Sequence, residues 1–365
     1  MQLSRSSTQR PAALEKVVRF MHQIALPIAC GLLLATFTLL VLQPRQARAA
    51  QTFSRADVTY TYTVYLPLVM QSPPWIDLST RQAALDYYTN HYLTSDCVSM
   101  AWTGDVNSCN PGATAPEYRA ALTQRINYFR AMAGVPAVIT LNDAYNQKAQ
   151  AAALMMSRNN TLNHTPPSNW PCYSASGSAG ASTSNMALGL SGPAAISLYM
   201  RDSGDLNAAA GHRRWVLYPQ TQQMGTGDIP ASASYLAANA LMIFDDHVWD
   251  PRPRTRDSFV AWPPAGYVPY PVVYARWSFA YAGADFSAAS VTMTSAATNL
   301  SLALSTVING YGENTLVWIP MGLNDGDNWP QPSADTTYHV TVSNVIIAGQ
   351  SRSFSYDVIV FDPGK

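Results

Sequence analysis

His164 and His212 are the two histidines of this chain best placed for chemistry. Each follows a break in regular structure: His164 closes LNH ahead of a pair of prolines, and His212 follows Gly211 in GHRRWVLYP, residues 211–219. A glycine before a histidine lets the backbone approach a neighbour closely. Two imidazoles converging on one groove can hold Zn²⁺ or another divalent cation, with water or a carboxylate completing the shell. Because 47 residues separate them, only the fold can bring them together. His91, His247 and His339 read as ordinary surface or satisfied side chains, and His22 belongs to the N-terminal leader.

Other chemistries find little footing. The chain has no HExxH, no Cys-x-x-Cys and no GxSxG. GLSG at 189–192 lacks the strand-turn-helix setting of a nucleophile elbow. MGTGD at 224–228 lacks the third glycine of a dinucleotide loop and reads as a tight turn before a strand. Asp202, Asp205 and Asp228 are the carboxylates nearest His212 in sequence, and each reads as a cap, a turn residue or a surface charge.

The elements that must position these residues fall into two kinds. STRQAALDYYTNHYL and EYRAALTQRINYFRAMAG carry apolar residues at helical spacing, with Leu122, Ile126 and Phe129 on one face of the second; LNDAYNQKAQAAALMMSRN, opened by Asn142 and rich in helix formers, and GPAAISLYMRD, with Pro193 near its first turn, read as two further helices. LNHTPPSNWPCYSASGSAG is expected to be irregular, and SYLAANALMIF fits a strand. Read as strand, GHRRW sends Arg213 and Arg214 to opposite faces, with Trp215 beside Arg213 as a seam between helices and sheet. Residues 79–250 therefore form a mixed α+β domain, and the turn-rich 251–266 a linker. From 267 to 365, six short β-branched or aromatic runs separated by turns suggest an immunoglobulin-like β-sandwich.

Compartment follows from the first 78 residues. IALPIACGLLLATFTLLVL, residues 24–42, is uncharged, follows four basic residues and precedes small residues at Ala47 and Ala49. That is an export signal, residues 1–49, with cleavage after Ala49 expected; its length keeps an uncleaved N-terminal anchor as the alternative. Residues 50–78 read as an extended tether. Six of the 22 basic and one of the 22 acidic residues lie in 1–49, so the remainder carries a net charge of −5. Nucleic acid is excluded as a partner, and membrane contact is confined to the N-terminal segment. Only 12 % of the residues are charged, while 48 % are hydrophobic, a surface kept wet by hydroxyls and amides. In an oxidising compartment Cys97 and Cys109 can close a disulfide, although spacing allows Cys172 to bond either.

RINYFRAMAGVP, the Ala-rich helix after it, LNHTPP, SNMALG and GHRRW together resemble the CAP superfamily, the cysteine-rich secretory, antigen 5 and pathogenesis-related 1 proteins with an SCP-like domain, over about residues 117–247. The resemblance implies a three-layer α-β-α sandwich and a secreted protein. It also implies a cavity lined by two histidines and two glutamates. His164 and His212 match the histidines. Ser184, ahead of Asn185 in TSNM, stands where the first glutamate belongs, and Asp202 replaces the second only if the helix register slips. Two imidazoles without glutamate company keep nitrogen ligands for a cation but lose the groups best suited to act as general base.

The expected function is that of a secreted or envelope-associated binding protein. Its cavity, built from His164, His212, Ser184, Asn185 and Asp202, takes a divalent cation or small ligand, and its partner is an extracellular protein, a small molecule or a cell-envelope ligand. Arg213, Arg214 and Trp215 are its structural support. The alternative is an extracellular hydrolase acting on peptide, ester or cell-wall substrates through His212, with His164 as partner.

Overall fold

A computed structural model describes residues 52–55, 58–61 and 75–365. The export or anchor segment and Cys30 lie outside the described residues. The chain divides into two compact units, Met1–Ser72 and Pro73–Lys365. In the first, β1 (Thr52–Arg55) and β2 (Val58–Thr61) pair antiparallel, so the expected tether contains a hairpin.

In the second unit, α1 (Arg81–Tyr87) is capped by the Thr80 side chain, which accepts from the Ala83 amide, and runs on through a π turn at Tyr88–Tyr92. α2 (Pro116–Ala133) starts on a proline, whose missing N–H costs nothing in a first turn, and stops at Gly134 with φ +76°. Leu122, Ile126 and Phe129 are fully buried, as their spacing predicts. α3 (Asp143–Asn159) is opened by Asn142, which accepts from the amides of Ala144 and Tyr145.

Two further helices depart from expectation. Residues Ala175–Ser182, beginning inside the stretch expected to be irregular, form α4. Ser174 caps it through the Gly177 amide, and its glycines admit α3: a Cβ on Gly180 would stand 2.3 Å from the Lys148 carbonyl oxygen. After α5 (Gly192–Arg201), the motif GHRRW lies in α6 (Gly211–Val216), a helix where a strand was expected. Helical geometry places Arg213 and Arg214 about 100° apart around one axis, and both are buried; neither is left to solvent.

A mixed four-stranded sheet runs between these helices in the order β3 (Thr140–Leu141), β5 (Gln223–Ile229), β6 (Ala238–Met242), β4 (Ser184–Leu188). β3 and β5 are parallel, and the other pairs antiparallel. Alternation along the strands feeds two cores. Met186, Ala240 and Met242 join α3, while Ala187 and Leu241 join α2 and α5, which is an α-β-α layering. The glycines of MGTGD sit inside β5 and do not make a turn before it: a Cβ at Gly227 would lie 2.1 Å from the Gln150 amide nitrogen, so α3 lies directly on bare backbone.

The remaining strands form two sheets. One has the order β12 (Leu302–Leu304), β13 (Thr315–Pro320), β9 (Trp277–Ala280), β7 (Val260–Trp262). The other runs β11 (Thr298–Asn299), β10 (Ser290–Ser295), β14 (Thr336–Ile347), β15 (Gln350–Phe361), β8 (Gly266–Pro269), with β15 and β8 parallel. Phe279 of the first packs against Phe354 and Tyr356 of the second. Residues 251–266, expected to be a linker, supply β7, whose Trp262 is fully buried and meets Phe129 of α2 at 5.2 Å between ring centroids. One continuous core therefore runs from α2 and α5 into the sheets.

Candidate functional site

Asp202 ends α5 in the left-handed region, φ 55° and ψ 43°, and is 1 % exposed. From there its Oδ1 accepts from His212 Nδ1 at 2.7 Å, and its Oδ2 accepts from the Arg213 amide at 3.2 Å. Asp202 thus turns toward His212 from the end of α5. The reversal of the chain at the helix end does this, and Asp is one of the few side chains that tolerates such a backbone.

His212 lies in the first turn of α6, and two further contacts fix its place. Asn185 Nδ2 donates to the His212 carbonyl at 3.0 Å, and the Tyr199 ring stacks on the imidazole at 5.5 Å. Tyr199 is itself pinned, because its hydroxyl donates to Asn239 Oδ1 at 2.7 Å and also to the Asn185 carbonyl. Asn239 continues into a buried network with Thr226 and Asp228, whose carboxyl burial pushes up while the Gly192 amide and the Asn239 and Thr226 side chains hold it down. Thus Asp202, His212 and Asn185, all expected in the cavity, are brought together by bonds.

His164 comes from the segment between α3 and α4, and its Nδ1 lies 2.8 Å from the Ala181 carbonyl. A carbonyl can only accept, so Nδ1 carries the proton and Nε2 offers its lone pair. The same logic applies to His212, whose Nδ1 faces the Asp202 carboxylate. His164 reaches solvent, yet the protein around it strips enough hydration to lower its pKa, the Ala181 carbonyl opposes that, and the charge of His212 adds to it. Ser184, the fifth expected residue, is 5 % exposed, and its Oγ has no hydrogen-bond partner among the described residues, His212 included. Among the described residues no group of three or more His, Cys, Asp or Glu side chains is disposed to hold a metal ion.

The supporting residues do more than line a seam. Arg213 donates to the carbonyls of Met200 and Arg201 at the end of α5 and to Ser278 Oγ in β9. Arg214 donates to the carbonyls of Glu313, Ala209 and Ile308. Burial lowers both guanidinium groups to about 10, which leaves them charged at neutral pH. Trp215 packs on Phe244 and Tyr218.

The disulfide joins Cys109 to Cys172 and leaves Cys97 free and exposed, so the expected Cys97–Cys109 pairing is corrected. The bond ties the segment that carries His164 to the loop ahead of α2. Sequence reasoning missed Tyr199 and Arg276 as neighbours of the site; an aromatic three residues before Asp202 was the only available signal for the first.

Residues 123–240 match the family model of CAP, the cysteine-rich secretory protein family. This part of the chain belongs to the CAP superfamily. Among solved structures the chain is similar to venom allergen-like protein 4 of Schistosoma mansoni, at 12 % identity, 39 % coverage of this chain, 97 % of that one and a TM-score of 0.25. No curated protein matches. Among the described residues no helix is long and apolar enough to cross a membrane.

Proposed function

We propose that this is an exported binding protein whose CAP domain takes a divalent cation, Zn²⁺ being the probe, through His164 Nε2 and His212 Nε2. One observation carries the reading: both imidazoles spend their Nδ1 protons on fixed acceptors, the Ala181 carbonyl and the buried Asp202 carboxylate. That is the outer-shell arrangement that fixes tautomer and raises basicity in metal-binding histidines. The depressed pKa of His164 supports it further, since the neutral ring is the ligand. Two nitrogens leave the other positions to water or to an incoming small ligand, which suits reversible capture better than a closed structural site.

CAP membership, in a superfamily whose members are often secreted, agrees with the export signal read in residues 1–49. The two C-terminal sheets, in an immunoglobulin-like sandwich, present the domain to an extracellular protein or cell-envelope ligand. Hydrolysis has less support, because Ser184 Oγ makes no hydrogen bond to His212 and would lack an activated path for its proton.

Isothermal titration of the folded protein with Zn²⁺ tests the reading. One site is expected, abolished by His164→Ala and by His212→Ala while circular dichroism stays unchanged. Absence of binding in the wild type, or binding indifferent to both substitutions, rejects it.

A further inference from the structure

The C-terminal part of the chain reaches the end of α5, beside His212, through Arg276 and Asp325. Arg276 stands immediately before β9 and is 3 % exposed. Its Nη1 donates to the main-chain carbonyl of Asp202 and to that of Asn207 at 2.7 Å, and its Nη2 donates to the Gly204 carbonyl at 3.4 Å. The guanidinium is anchored from its own side by Asp325 Oδ2 at 2.9 Å, and the same oxygen accepts the Gly204 amide at 2.6 Å. Residues 202–207 are thus gripped by a donor just before β9 and an acceptor in the loop between β13 and β14.

What is gripped matters for the ring. Asp202 is a non-glycine residue in the left-handed region, a conformation that aspartate tolerates at modest cost and that the neighbouring contacts hold in place. The direction of its carboxylate follows from that backbone. Within α5 and α6, only the Arg213 amide and His212 Nδ1 touch the carboxylate, and neither holds the Asp202 carbonyl.

We propose that Arg276 is a positioning residue for the site: by binding the Asp202 carbonyl together with Gly204 and Asn207, it holds the backbone that aims the Asp202 carboxylate at His212 Nδ1. Its meaning for cation binding rests on the reading above, but the positioning itself is visible without any metal. The segments that connect the C-terminal strands are accordingly part of the site.

The test is a long-range ¹H–¹⁵N correlation spectrum of the metal-free full chain. In the wild type His212 is expected as a single Nδ1–H tautomer; a mixed population there overturns the premise. Arg276→Ala is expected to convert His212 to a mixture of tautomers, while His164, held by Ala181, and His247, held by Asp245, keep their signals. Arg276→Lys, which keeps charge but has no fork to span three carbonyls, is expected to give an intermediate shift, as is Asp325→Asn. His212 unchanged in folded Arg276→Ala overturns the proposal. Should that variant not fold, an unchanged His212 in both Arg276→Lys and Asp325→Asn does so. Failure of the wild type to bind Zn²⁺ removes the cation reading and leaves this spectrum as informative as before.

Discussion

Asp202 Oδ1 and His212 Nδ1 stand 2.7 Å apart, the carboxylate closed off from solvent and the ring about one quarter exposed. A buried anion facing a partly exposed imidazole orients that ring and fixes which nitrogen carries the proton. Asp202→Asn keeps the shape and tolerates the same backbone, but removes the charge. Zn²⁺ affinity is expected to fall by about 10- to 100-fold, read by calorimetry, with the far-ultraviolet circular dichroism unchanged.

The surroundings of His164 hold its pKa below the ordinary imidazole value of 6.5. The unfolded chain then binds the proton more readily than the folded one. The stability linked to this ring is complete above pH 6.5 and is lost as pH falls through the lowered pKa. Proton NMR of the ring is expected to show a midpoint below 6.5. The loss in urea stability between neutral and mildly acidic pH should be smaller in His164→Gln than in the wild type.

Cys109 and Cys172 are 63 residues apart, so their bond removes a large loop from the freedom of the unfolded chain. On chain-entropy grounds the double replacement Cys109→Ser, Cys172→Ser is expected to cost about 4 kcal/mol, measured by denaturant titration. Alkylation of the native protein followed by peptide mass mapping should label Cys97 and spare the other two.

Gly227 and Gly189 separate two reasons for a glycine. A methyl at Gly227 would run into the backbone of α3, whereas Gly189 has open space but a φ of +90°. Gly227→Ala is expected to lose about 3 kcal/mol through overpacking, and Gly189→Ala about 1 kcal/mol through backbone strain alone. Thermal unfolding of the two variants side by side gives the order.

Local signals in the sequence were enough to find α2, α3 and α5: a buried stripe with the helical repeat in α2, the Asn142 cap and helix-forming residues in α3, and a first-turn proline in α5. α4 escaped them: ASGSAGAS has no apolar stripe, and its helix is stabilised by a serine cap and by close backbone contact with α3, which only the folded chain supplies. GHRRW was misread for a related reason. Its arginines carry no periodic signal, since what they satisfy are carbonyls of α5 and of loops distant in sequence. The site residues His164, His212, Ser184, Asn185 and Asp202 were all visible as residue types in order. Their bonding was not, because the hydrogen bond from His212 to Asp202 depends on one left-handed residue, and that residue on an arginine 74 positions later.

With φ at 55°, position 202 limits which acid can serve there. Asparagine and aspartate adopt that twist with modest penalty, helped by short polar arms that bond nearby backbone; the longer glutamate gains no such relief. An acid with one more methylene would also have to fold back on itself to meet an imidazole already within 2.7 Å of the shorter one. The shortened carboxylate and the reversed chain thus form one solution, and an exchange that conserves charge at this point would still be a drastic change.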